Sequence, residues 1–300
     1  MTLVPLLLIV ASAGLHATWN MIAKKERMTI GFYAILGSIG AIWSSWVRFV
    51  TPVHFFAMPR AFYLTLAGML AGELFYCFGL VFAYRKLDMS SAYPMMRALP
   101  LVFIAALTMS FRIGAPLTPC AMAGMAVVFA GCLMMPLKNF SDFKPKNYLN
   151  RGMLFIIVVA CGTTLYTVFD KLSQNVMREA FPHVAQPLLS MTYYSFRAVT
   201  LSTVLWIVAL SIPGTRREVV DMWRRRSWMP VLAGLCSSLT YVLVLMSMNF
   251  VTNVSYVQAF RQLGLPIGML EGILILKEKC ALPKVVGIVL ILSGLTLTVL

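Results

Sequence analysis

Charge is what this sequence has least of. Only 12% of its 300 residues are charged, ten of them are acidic, and three are histidines. No polar stretch exceeds about a dozen residues, which leaves no room for a soluble domain between the apolar runs. The six cysteines (Cys77, Cys120, Cys132, Cys161, Cys236 and Cys280) form no C-x-x-C pair and mostly lie inside or at the ends of apolar runs. That excludes a disulfide or metal framework and makes them small packing residues. The chain also lacks a nucleophile–base pair, a metal-ligand set, a phosphate loop and an ATP-binding motif. His16, His54 and His183 are far apart in sequence. No enzymatic activity, metal or cofactor is therefore expected.

What remains is apolar: 60% hydrophobic residues and a mean hydropathy of +0.84. The runs are continuous and do not alternate, so they read as membrane-spanning helices in a lipid bilayer and not as a β-barrel. The formal net charge is +15. Its lysines and arginines cluster between the runs, where they fix membrane orientation, so no nucleic-acid partner is expected. Residues 3–15 imitate a signal peptide, with Ala11-Ser12-Ala13 as a cleavage-like site. No basic residue precedes them and the run continues to Ala23, so they read as an uncleaved first span.

The patterning predicts an all-α membrane protein of ten transmembrane helices, at 3–23, 29–50, 61–84, 90–111, 116–137, 151–171, 188–212, 227–250, 253–276 and 281–300. A basic linker loop, 138–150, separates a first five-helix repeat, 1–137, from a second, 151–300. The repeat is visible in the residues. Tyr93 pairs with Tyr256, Arg97 with Arg261, Pro100 with Pro266, Gly124 with Gly287 and Gly131 with Gly294, at offsets of 163, 164, 166, 163 and 163. Trp19-Asn20-x-x-x-Lys24 in the first span matches Tyr166-Thr167-x-x-x-Lys171 in the sixth, and Ala71-Gly72 matches Ala233-Gly234. Five spans per half give the halves opposite orientations, an inverted repeat of the kind found in secondary transporters. The loops after odd spans hold seventeen lysines and arginines and those after even spans five, which places the odd loops in the cytoplasm and both termini outside.

Five charges fall well inside spans. Arg97 and Arg261 recur at matching places, and a guanidinium grips a carboxylate or phosphate through two hydrogen bonds. They are candidates for holding an anionic substrate group, or else structural charges neutralised by Glu73, Glu271 or a backbone carbonyl. Tyr93 lies four residues before Arg97, on the same helix face; Tyr256 lies five before Arg261, about 140° round the helix. Either tyrosine would contact substrate, or sit at the membrane interface. His16, Trp19 and Asn20 form a polar stripe at i, i+3 and i+4, which lines a hydrated cavity or bonds between helices. Tyr166 and Thr167, joined by Thr163, would line the other side. Glu73 is the acidic candidate for carrying a coupling proton or for neutralising Arg97 or Arg261, and Glu271 is a second. Arg197 has no repeat mate and reads as snorkelling or paired. Pro94, Pro100 and Pro266 interrupt spans 4 and 9.

The ten spans in two inverted halves, the segment Leu15-His16-Ala17-Thr18-Trp19-Asn20, the prolines of spans 4 and 9 and Lys277-Glu278 after span 9 resemble an EamA-type transporter of the drug/metabolite transporter superfamily. The resemblance covers essentially the whole chain. It implies a central cavity formed by spans 1, 3, 4, 6, 8 and 9 and secondary transport, often export, of small metabolites such as amino acids. Two features depart from that pattern. Arg112-Ile113-Gly114 replaces the acidic residue usual after span 4, and the lysine and arginine count opposes the family's cytoplasmic termini. The expectation is an inner-membrane secondary transporter, working by alternating access with possible proton coupling, for a small anionic or zwitterionic metabolite. A broad exporter of apolar, drug-like compounds and a membrane-embedded enzyme acting on lipid intermediates are the alternatives.

Overall fold

Apolar runs this continuous leave each backbone N–H only the carbonyl one turn back as partner, and helix follows. A computed structural model describes the backbone of residues 3–26, 29–86, 89–144, 152–224, 228–276 and 281–299. It describes the side chains of these except residues 21, 23–26, 84–86, 89–94, 223, 271–276 and 299. Among the described residues there is no strand. The helices are α1 (Leu3–Glu26), α2 (Ile30–Ser44, followed by a helical turn Val47–Val50), α3 (Arg60–Lys86), α4 (Met89–Ser110), α5 (Pro119–Met134) and α6 (Met153–Ala180). They continue as α7 (Gln186–Ser211), α8 (Pro213–Arg224), α9 (Met229–Ser247), α10 (Val254–Phe260), α11 (Gly264–Leu276) and α12 (Leu282–Val299).

Among the described residues, six helical segments are long and apolar enough to cross a membrane: Leu3–Asn20, Ile30–Val50, Arg60–Ala83, Met153–Ala180, Gln186–Ser211 and Met229–Phe250. Three shorter apolar ones are Met95–Ser110, Pro119–Met134 and Leu282–Thr298. Their outward faces carry large bare apolar side chains, including Leu7, Ile42, Leu64, Phe75, Leu154, Ile207 and Val289. Water would penalise such a surface; lipid would not.

Local chemistry sets the ends. Thr29 Oγ1 accepts from Phe32 N–H at 3.1 Å to open α2, and Thr118 Oγ1 accepts from Ala121 N–H at 3.0 Å to open α5, where Pro119 takes the first position. Asn253 caps α10 by accepting from Ser255 N–H at 2.9 Å. Pro266 offers no N–H to the carbonyl of Gln262 and its ring crowds that carbonyl. The chain responds with a 3-10 turn at Arg261–Leu263 between α10 and α11. The interruption expected in span 4 does not occur, because α4 runs unbroken through Pro94 and Pro100. Gln262 Nε2 donates to the Arg97 carbonyl at 3.0 Å, a side-chain donor supplied in the turn that Pro100 loosens.

Two stretches expected as loops are helical. α6 continues to Ala180 because Ser173, Gln174 and Met177 bury one face beyond Lys171. α8 is amphipathic, burying Thr215 and Val219 against the bundle while Arg216 and Arg217 face out.

The helices pack in pairs: α1 with α9, α3 with α6, α2 with α7 and α5 with α12, with α4 against α6 and α10. Small residues make the closest pairs possible. A Cβ on Gly162 would lie 2.6 Å from the Gly72 carbonyl oxygen, so α3 and α6 touch backbone to backbone.

Candidate functional site

The pairing of α3 with α6 and the packing of α7 against both bring buried polar side chains together. Tyr166 and Asp170 stand one turn apart on α6, as do Tyr193 and Arg197 on α7. Arg197 Nη2 donates to Glu73 Oε2 at 2.6 Å, and its Nε lies 3.4 Å from Asp170 Oδ1. The guanidinium carbon sits 4.1 Å from the centre of the Tyr241 ring and 5.9 Å from that of Tyr166. Asp170, with no exposed surface, accepts from the Tyr193 hydroxyl at 2.5 Å and from the Tyr241 hydroxyl. One guanidinium thus serves two carboxylates.

Glu73 is paired with Arg197, and not with Arg97 or Arg261, the partners that one of its two sequence alternatives gave it. The glycine contact between α3 and α6 sets Glu73 beside α7. Asp170, Tyr193 and Tyr241 were missed from the sequence. Asp170 stood at the predicted end of its span, whereas α6 runs on to Ala180 and places it inside the helix. The available signal was the spacing of Tyr166 and Asp170, and of Tyr193 and Arg197, four residues apart in each case.

Beside this cluster lies a cavity of two lobes sharing His16, Tyr76, Tyr166 and Arg261 as walls. The larger, about 90 Å3, adds Glu73 and Arg197 with Trp19, Tyr33, Tyr194 and Tyr241. The smaller, about 30 Å3, adds Arg97, Asn20, Thr163 and Gln258. Arg97 and Arg261, far apart in sequence, face one lobe, and each is more than nine-tenths buried. Arg261 Nη1 donates to Gln258 Oε1 at 3.4 Å, and Tyr166 lines the same lobe. Among the described residues no carboxylate lies within ion-pair distance of Arg261. Arg97 packs its guanidinium against Gly264, where a Cβ would stand 2.6 Å away.

On α1, His16 and Trp19 line the larger lobe and His16 and Asn20 the smaller. Trp19 Nε1 donates to His16 Nδ1 at 3.1 Å and Asn20 Nδ2 to the His16 carbonyl at 2.7 Å, so part of the stripe's polarity is spent within the helix. Tyr166 lines both lobes. Thr167 is buried, lines neither lobe, and its hydroxyl has no hydrogen-bond partner among the described residues. Tyr256 is half-buried, packs against the apolar core and lines neither lobe. The side chains of Tyr93 and Glu271 lie outside the described residues.

At the opposite end of α6 a third cavity, about 320 Å3, is lined by Lys171, Asn175, Arg178, Asn249, Gly114 and Thr252. The turns that border it are clipped together. Ala115 N–H donates to the Thr252 carbonyl and Asn253 Nδ2 to the Ala115 carbonyl, both at 3.0 Å, and Lys171 Nζ donates to the Met248 carbonyl at 2.5 Å.

No family model matches this chain, and no curated protein does. Twenty-eight chains of solved structures do. One of them, described only as "Crystal structure of protein", is 14% identical and superposes with a TM-score of 0.67, covering 98% of this chain and 95% of that one. At that identity the likeness is one of fold, and it extends over nearly the whole length of both chains.

Proposed function

We propose that this chain is a membrane-embedded secondary transporter of a small anionic or zwitterionic metabolite, such as an amino acid or organic acid. The observation that carries the reading is Arg261: a buried guanidinium facing a cavity, beside Arg97, with no carboxylate partner among the described residues. A charge left so in an apolar interior is costly, and the anionic group of a substrate would offset that cost through two hydrogen bonds.

Ten spans in two inverted five-helix repeats accord with the packing. Exchanging the first five spans for the second five turns the α1–α9 pair into the α6–α3 pair and leaves α2–α7 and α5–α12 as they are. Two halves so related suit alternating access, with the site between them. In the structure the cavity lining reaches Tyr33, Leu80, Met96, Val159 and Leu205, towards the odd loops, while the clipped turns close the other end. The EamA-type resemblance, an inner-membrane location and coupling to protons through ionisable groups in the spans belong to the same reading. The rings of Trp19, Tyr33, Tyr76, Tyr166, Tyr194 and Tyr241 in the larger lobe favour a second reading, export of apolar compounds.

The test uses the purified chain in proteoliposomes with labelled amino acids, organic acids and an apolar cation. Transport of an acid or zwitterion, lost in Arg261→Gln, supports the proposal. Transport of the apolar cation alone selects the second reading.

A further inference from the structure

Charge arithmetic around the larger lobe carries an inference about coupling, and it rests on the transport reading above. Two carboxylates, Glu73 and Asp170, share the single guanidinium of Arg197. With all three ionised the cluster carries −1, which offsets the charge of Arg261 across the lobe, while Arg97 beside it adds a positive charge that the proton does not change. The two acids are not equivalent. Asp170 is fully buried, takes hydroxyl hydrogen bonds from Tyr193 and Tyr241 besides its contact with Arg197, and does not line the cavity. Glu73 lines the cavity, and among the described residues Arg197 is its one hydrogen-bond partner.

We infer that Glu73 is a proton-binding site, that Asp170 is the fixed counter-ion letting Glu73 be neutralised, and that one proton is taken up there together with each anionic group bound at Arg261. When Glu73 goes from carboxylate to carboxylic acid, Arg197 keeps Asp170 and is not stranded. The cluster becomes neutral, and among the described residues Arg261 is left with its positive charge uncompensated, facing the same lobe. An anion bound there restores the net charge the site had before the proton arrived. Each ligand thus removes the electrostatic obstacle to the other, and linkage makes the effect mutual. The two move in the same direction: proton and anion are carried together, not exchanged.

Other groups face Glu73, and the test must separate them. Arg197 and Tyr194 stand on α7, Asp170 and Tyr166 on α6, Tyr241 on α9, and Cys77 on its own helix. His16 on α1 is the other acid–base group of the lobe, and its Nδ1 already accepts the Trp19 indole N–H.

The experiment is calorimetric titration of the purified protein with sodium pyruvate and with L-alanine, in buffers of different ionisation enthalpy, which counts protons moved per ligand bound. Wild type is expected to take up close to one proton per pyruvate, about the limit for a single linked group. Glu73→Gln is expected to bind pyruvate with no uptake and with affinity independent of pH. Glu73→Asp, which keeps an ionisable group, restores uptake; His16→Gln alters a wall of both lobes and with it the affinity, but the protons counted per pyruvate bound stay the same. Pyruvate binding without uptake, or with proton release, overturns the inference and leaves the transport reading standing. So does undiminished uptake in Glu73→Gln. Failure of both probes to bind overturns the two together.

Discussion

Gly131 and Gly287 face each other across α5 and α12 so closely that a Cβ on Gly131 would lie 2.6 Å from the Gly287 carbonyl oxygen. Gly124 and Gly294 repeat the contact, also at 2.6 Å. The sequence aligns Gly124 with Gly287 and Gly131 with Gly294. The contacts join them the other way, which is what an exchange of two antiparallel halves requires: it carries the pair 124–294 onto the pair 287–131.

A methyl group at Gly131 therefore has to push two backbones apart. Gly131→Ala is expected to destabilise the protein by about 1–3 kcal/mol, the usual cost of overpacking a closed interface. Gly14→Ala is the control, because nothing lies within 4 Å of the added carbon and alanine is the better helix former. Thermal unfolding in detergent compares them. Equal midpoints for the two variants would show that the α5–α12 contact is looser than described.

The shared guanidinium ranks the stabilities of two further variants. Asp170→Asn removes a carboxylate with no exposed surface that accepts two tyrosine hydroxyls and faces Arg197. Breaking a buried charge pair of this kind costs about 3–5 kcal/mol. Glu73→Gln leaves Arg197 with Asp170 and is expected to cost less. Unfolding midpoints in detergent decide the order, and a larger loss in Glu73→Gln would make Glu73 the structural acid and Asp170 the expendable one.

Composition was enough to read the helical class, since an apolar run without alternation has one backbone solution in lipid. The matching of Arg97 with Arg261 also led to one lobe of one cavity. What the sequence hid was pairing across helices. Nothing in the order of residues says that Glu73 meets Arg197, because that follows from Gly72 letting α3 lie against Gly162. Asp170 escaped for a different reason: a charged residue near the edge of an apolar run looks solvated until the helix is seen to continue. The proline rule worked at Pro266 and failed at Pro100, where α4 stays unbroken and Gln262 from the other half bonds the turn before the proline.

Orientation rests on the distribution of lysine and arginine and is open to direct measurement. Lys144, exposed in the linker after α5, belongs to the odd loops that hold seventeen of the basic residues. A cysteine placed there by Lys144→Cys is expected to react with an impermeant thiol reagent in inside-out vesicles and to stay unmodified in intact cells. Labelling from outside intact cells would invert the topology and place both termini in the cytoplasm.

The two arginines of the smaller lobe make the sharpest prediction, because charge and geometry can be varied separately. Arg261→Lys keeps a cation but loses the planar fork, so a carboxylate held through two hydrogen bonds should bind about tenfold more weakly, a loss near 1.4 kcal/mol. Arg261→Gln removes the charge too and should cost more. Arg97→Lys and Arg97→Gln are expected to follow the same order if both guanidiniums grip the anionic group. A purely structural arginine behaves otherwise: the charge-removing variant folds poorly, and whatever folds binds normally. Binding of the transported acid to purified, monodisperse variants is the measurement. Wild-type affinity in folded Arg97→Gln and Arg261→Gln together would remove the anion site from this cavity, and the shared lobe would then be a packing feature between α4 and the α10–α11 break.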